Sequence, residues 1–102
     1  CAACHGERGQ GVPGAYPALA GNRAVTQPHT ENLVQIVLHG GFAPATAGNP
    51  RPYGMPPFTL SLNDGELAAV LSHLRRSWGN QASELSALDV YRARADTDAR
   101  LR

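Results

Sequence analysis

Apolar positions are spread unevenly along the chain. Residues 6–29, GERGQGVPGAYPALAGNRAVTQPH, keep no sustained period and are broken by Gly6, Gly9, Gly11, Pro13, Gly14, Pro17 and Gly21. Breakers at that density mark loop, with a turn of helix over Cys1–His5. In HTENLVQIVLHGG, residues 29–41, the positions Leu33, Ile36, Val37 and Gly40 recur at i, i+3, i+4 and i+7. That spacing predicts a helix over 31–39, capped by Thr30 and ended by Gly40–Gly41. Residues 42–60, FAPATAGNPRPYGMPPFTL, hold five prolines. These remove backbone donors and leave an extended, structured loop instead of a long helix or a central strand. In LNDGELAAVLSHLRRSWGN, Asn63 precedes Glu66 by three in a capping-box arrangement, and Leu67, Val70, Leu71 and Leu74 form one stripe. The prediction is a helix over 64–77 stopped by Gly79. Ser86 and Asp89 repeat the cap spacing and open a tail, ALDVYRARADTDARLR, that is polar on most faces. It reads as a marginal helix or a partly disordered extension. No repeat and no strand pattern stands out, so the expected class is all-α, with three to four short helices and long Gly/Pro-rich loops.

Size changes this picture in one respect. A chain of 102 residues makes a single small domain that buries only about 60–65% of its unfolded surface, so its own core is thin and invites supplementing. Charge excludes more than it suggests. The net charge is +1, and all nine basic residues are arginines, scattered from Arg8 to Arg102 without interleaved aromatics. No nucleic-acid partner is expected from that pattern. The longest apolar run, LVQIVL at 33–38, is far short of the roughly 20 residues of a membrane span. No signal peptide precedes Cys1, so residue 1 is expected to be a processing or domain boundary.

The candidate chemistry lies in the first six residues, CAACHG, which hold both cysteines of the chain. One disulfide across two intervening residues would close too small a loop to stabilise the domain much. A structural zinc site needs four ligands, and neither a second cysteine pair nor a suitably spaced histidine pair follows. A thioredoxin-like pair belongs after a strand in a βαβ unit, which cannot be read here. The remaining reading of C-x-x-C-H is covalent attachment of a c-type haem. Residues i and i+3 adjoin on a helical turn, so Cys1 and Cys4 can both form thioethers along one porphyrin edge, with His5 beneath the iron.

A six-coordinate haem needs a second protein ligand, usually Met or His. The single methionine, Met55, sits in RPYGMPPF, where neighbouring prolines and aromatics pin the backbone and Gly54 permits close approach. A lone methionine more commonly fills a core gap, but a polar, proline-rich loop has little core to fill. His29, His39 and His73 are the rival ligands. Two of them read as helix-face or helix-end residues and His29 as a surface loop residue.

With Cys1, Cys4, His5 and Met55 in that order, residues 1–80 resemble a class I, monohaem cytochrome c domain, leaving 81–102 as a C-terminal extension. CAACHG, YPALAGN, GNPRPYGMPPF and LRRSWGN look like the haem domains in cytochrome subunits of bacterial periplasmic dehydrogenases. They also resemble cytochrome domains fused to redox enzymes such as copper nitrite reductases. The resemblance implies one haem c wrapped by the short helices and loops. It further implies that the Pro17 carbonyl accepts from the His5 ring N–H, that Leu19 packs on the haem face, and that Arg23, Tyr53 and Trp78 serve the rim or the propionates. In that family a helix before the first cysteine crosses the C-terminal helix. This chain starts at Cys1, so that helix is expected in preceding sequence, or its contact is taken over by another element, for which 86–102 is the candidate.

Occupied axial positions make the expected function one-electron transfer and not catalysis, in a free carrier or a tethered relay. The partner would be a redox protein or a fused enzyme domain. The resemblance places the chain in the periplasm, as part of an exported system that is free or membrane-associated. The rival is a haem sensor or peroxidase-like enzyme in which Met55 dissociates.

Overall fold

A computed structural model describes residues 1–41 and 54–101. Over these the chain forms five helices: α1 (Ala2–His5), α2 (Arg23–Thr26), α3 (Glu31–His39), α4 (Asp64–Arg76) and α5 (Ala87–Leu101). The only β pairings among the described residues are isolated antiparallel bridges, Val12 with Tyr16 and Gly41 with Met55. The all-α expectation holds, but three to four helices was an undercount. The addition is α2, a single turn without apolar periodicity, which Asn22 starts by accepting from the Ala24 N–H at 2.9 Å.

The two helices read from periodicity fall where expected, for different local reasons. At the start of α4, Asn63 and Glu66 form the reciprocal capping box, at 2.8 and 3.0 Å. At the start of α3, Thr30 makes no side-chain cap. Its backbone is already near-helical (φ −96, ψ −5), whereas a capping side chain needs an extended residue to reach forward. Gly40 ends α3 at φ +67.

The core is one cluster shared by α3, α4 and α5. It includes Val34 and Leu38 of α3, Leu67 and Leu71 of α4, and Val90 and Ala93 of α5. The tail that looked polar on most faces is thus a docked helix. Val90 is fully buried and Ala93 nearly so, one turn apart, and α5 lies against both α4 and α3. Two small apolar residues at i and i+3 are enough for a helix whose other faces stay wet. Its start carries the predicted Ser86–Asp89 exchange, with the Ser86 N–H donating to Asp89 at 2.8 Å and the Asp89 N–H to the Ser86 hydroxyl at 3.3 Å.

Arg75 is the unexpected member of the interior, 1% exposed on α4. No carboxylate pairs with it among the described residues; its fork is satisfied by neutral oxygens. It donates to the carbonyls of Val25 (2.9 Å), Gln27 (2.7 Å) and Ser83 (2.8 Å) and to the Ser83 hydroxyl (3.2 Å). Burial pulls the guanidinium below its ordinary pKa, yet arginine stays charged at any relevant pH. The residue ties the end of α2 to α4 and to the connection leading into α5.

Candidate functional site

The first wall of the site is built almost entirely from residues 1–20. Cys1 caps α1, and its carbonyl accepts from the N–H groups of Cys4 (3.1 Å) and His5 (2.7 Å), which closes the turn. That turn carries an exposed Cys1 and a half-buried Cys4, both free thiols. The following loop folds back on the turn. Gly11 N–H donates to the His5 carbonyl at 2.7 Å, the Val12–Tyr16 bridge reverses the chain, and the Leu19 and Ala20 N–H groups reach the Gly9 carbonyl. Gly11 sits at φ +66, and a Cβ there would lie 2.5 Å from the Tyr16 carbonyl oxygen, so only glycine allows the return strand so close. The reversal puts the Pro17 carbonyl 2.7 Å from Nδ1 of the buried His5. A carbonyl only accepts, so Nδ1 is the donor in this bond and Nε2 is the ring nitrogen left for a ligand.

The facing wall is assembled from distant parts of the chain. Gly41 and Met55 exchange both backbone hydrogen bonds, at 3.0 and 2.8 Å. Phe58 N–H then donates to the carbonyls of Val37 and Leu38, and Thr59 N–H to Leu38, at 3.0–3.1 Å. These donors satisfy carbonyls that the last turn of α3 leaves open. Gly40, with its positive φ, lets the Met55 carbonyl pass where a Cβ would collide with it.

A cleft of about 240 Å³ is lined by Cys1, Cys4 and His5 from the first of these segments and by Met55, Phe58 and Ile36 from the second. No Asp, Glu, Lys or Arg is among its described lining residues. Two thiols one helical turn apart, an imidazole held through Nδ1, a thioether and an otherwise largely apolar lining fit a flat apolar macrocycle with a central iron. Among the described residues no group of three His, Cys, Asp or Glu gathers to hold a metal ion by itself.

Residues 1–78 match the cytochrome c family. The chain belongs to that family. A cytochrome c domain carries covalent haem c and serves as an electron carrier, so the thioether reading of CAACH prevails over the disulfide, zinc and thioredoxin readings. Among curated relatives, the alcohol dehydrogenase (quinone) cytochrome c subunit of Gluconacetobacter polyoxogenes is 39% identical over 100 residues, covering 97% of this chain and 21% of the relative. The gluconate 2-dehydrogenase cytochrome c subunit of Pantoea cypripedii is 38% identical over 98 residues, 94% of this chain and 22% of that one. Cytochrome c-552 of Thermus thermophilus is 36% identical over 83 residues, 78% and 63% of the respective chains. This cytochrome c domain therefore spans about a fifth of the length of the dehydrogenase subunits it matches.

The structure gathers Cys1, Cys4, His5, Pro17 and Met55 around the cleft of the cytochrome c domain. His29, His39 and His73 are exposed, and none lines it. Leu19 packs against the core cluster and is absent from the cleft lining. Arg23 is exposed on α2. Trp78 stands behind the attachment loop: its Nε1–H donates to the Glu7 carbonyl at 3.2 Å, and a Cβ on Gly9 would lie 2.6 Å from its ring. Tyr53 lies outside the described residues.

Sequence reasoning missed the part of four residues. Ile36, placed in the buried stripe of α3, is 44% exposed and faces the cleft; the signal was LVQIVL itself, apolar on too many faces for one buried stripe. Tyr16 and Phe58 also line the cleft. Asn80 is buried, donates to the carbonyls of Leu19 and Leu74, and accepts from the Gly21 N–H at 2.8 Å, fastening the first wall to α4.

Proposed function

We propose that this cytochrome c domain relays single electrons through a haem c joined to Cys1 and Cys4 and ligated axially by His5 and Met55. Residues 1–80 form the haem-binding unit and 81–102 its extension. The observation that supports the ligand assignment is that Met55 lines the same cleft as a histidine whose Nδ1 is already committed to Pro17.

When bound, the haem supplies an iron that changes charge by one electron without making or breaking a bond to the protein. His5 offers Nε2 as ligand, and the Pro17 carbonyl fixes its tautomer and ring orientation. Met55 brings a neutral thioether, which favours the reduced iron and raises the potential relative to a second imidazole. The apolar flank of Ile36 and Phe58 keeps water from the iron and limits reorganisation on electron transfer. With both axial positions filled, no site is left for peroxide or a diatomic gas.

The dehydrogenase cytochrome subunits among the relatives support a dehydrogenase as electron donor, in a periplasmic, exported complex. A net charge of +1 gives little long-range steering, which suits a domain tethered to its donor through a longer polypeptide.

The test is the optical spectrum of the haem-loaded protein. The ferric form is expected to show a weak sulfur-to-iron charge-transfer band in the far red, and Met55→Ala to lose it while the haem stays covalently attached. A band that survives Met55→Ala refutes the ligand assignment. Rapid carbon monoxide binding by the ferrous parent would instead establish the sensor or peroxidase-like reading.

A further inference from the structure

We infer that Arg94, on the helix beyond the family match, is a positioning residue for Met55 that sets how readily the sulfur can leave the iron. The inference rests on the reading of Met55 as axial ligand. Between Phe58 and α4 the chain runs through residues 59–63, and the Arg94 guanidinium grips this connection at two residues and the first residue of α4 at a third. Nε donates to Asp64 Oδ1 at 2.6 Å, one terminal nitrogen to the carbonyl and hydroxyl of Thr59 at 3.0 and 2.8 Å, and the other to the Leu62 carbonyl at 2.7 Å.

This is unlike an ordinary surface pair. The Arg94 and Asp64 side chains are 25% and 31% exposed, whereas those of Arg76 and Glu84, 3.5 Å apart, are 60% and 68% exposed. Exposed pairs of the second kind contribute little. A planar fork engaged on several fixed oxygens, largely out of water, holds geometry. The post that carries it is also fixed, because the preceding residue, Ala93, is buried in the core and its carbonyl accepts from Gln35 Nε2 of α3 at 2.8 Å.

The hold passes back to the sulfur through a short, stiff route. Thr59, gripped by Arg94, is also bonded to the Leu38 carbonyl, and Phe58 to Val37 and Leu38. Between Phe58 and Met55 stand Pro56 and Pro57, whose rings fix φ and restrict the residue before each. Slack admitted at Thr59 therefore reaches Met55 with few torsions to absorb it. The residues bonded directly to His5 lie in the first twenty; those that hold the connection behind the methionine include one from the last helix.

The experiment uses the haem-loaded full chain and titrates the ferric iron with imidazole, which binds only where the sulfur has left. The apparent affinity then reads the population of the displaced state. Arg94→Met is expected to raise imidazole affinity about tenfold, and Arg94→Lys, which keeps charge but not the fork, by an intermediate factor. Leu71→Ala, a core change on α4 that lowers resistance to denaturant, is expected to leave it within about twofold. If Arg94→Met does not retain haem, Asp64→Asn is read the same way, with a rise of about threefold expected. An Arg94→Met affinity within twofold of the parent, or an equal rise in Leu71→Ala, overturns the inference while the far-red band of the parent still upholds Met55 as ligand. A parent whose far-red band is absent, or survives Met55→Ala, removes the ligand reading and this inference together.

Discussion

The two walls of the cleft are built by opposite strategies. The wall with Cys1, Cys4 and His5 is local: the turn of α1, the Gly11 contact and the Val12–Tyr16 reversal all lie within one short stretch that bonds chiefly to itself. The wall with Met55 is non-local, with its backbone paired to Gly41, its continuation hung on the end of α3, and its connection to α4 gripped from α5. Local contacts form with little loop-closure cost, whereas non-local ones exist only when several elements are already docked. The difference teaches that attachment and imidazole ligation should survive damage that releases the thioether.

The largest effect expected is on the local wall. Replacing both Cys1 and Cys4 with alanine should abolish covalent haem, read as absence of haem staining on a denaturing gel; retained stain would break the assignment of that wall. Next in size is Met55→Ala, which should lower the potential by on the order of 0.1 V, a fraction of the ~0.8 V range set by axial ligands. Voltammetry gives the value, and an unmoved potential would erase the contrast between the walls. Gly40→Ala and Gly11→Ala compare the walls directly. Each forces a Cβ against backbone at positive φ and should cost about 1–3 kcal/mol in denaturant unfolding. Only Gly40→Ala should also weaken the far-red band, because only its clash is with Met55. The smallest effect is expected from Pro17→Ala, which keeps the carbonyl that accepts from His5. It should change stability by less than about 1 kcal/mol and leave the potential nearly constant; a large shift would mean that the ring, not the carbonyl, orients the imidazole.

What the sequence disclosed tracks the same local-to-distant gradient. CAACHG announces its chemistry because its spacing is the chemistry, and α4 announces itself because Asn63, Glu66 and the leucine stripe are all nearest-neighbour signals on a helix. Met55 was singled out by its rarity and its prolines, and it lines the cleft. The Gly41 pairing that seats it was not, since two bridged residues leave no alternation to read. α5 was underestimated because Val90 and Ala93 are a faint stripe whose weight depends on what α3 and α4 offer opposite them. Arg75 and Asn80 were invisible for a related reason. A polar side chain inside a core is justified only by carbonyls that come together after folding, such as those of Val25, Gln27 and Leu19.

The reciprocal bonds between Gly41 and Met55 also decide what a side-chain exchange at this seat can and cannot remove. They are made by main-chain groups alone, so exchanging the side chain of Met55 removes its sulfur and leaves this backbone seam available to the replacement.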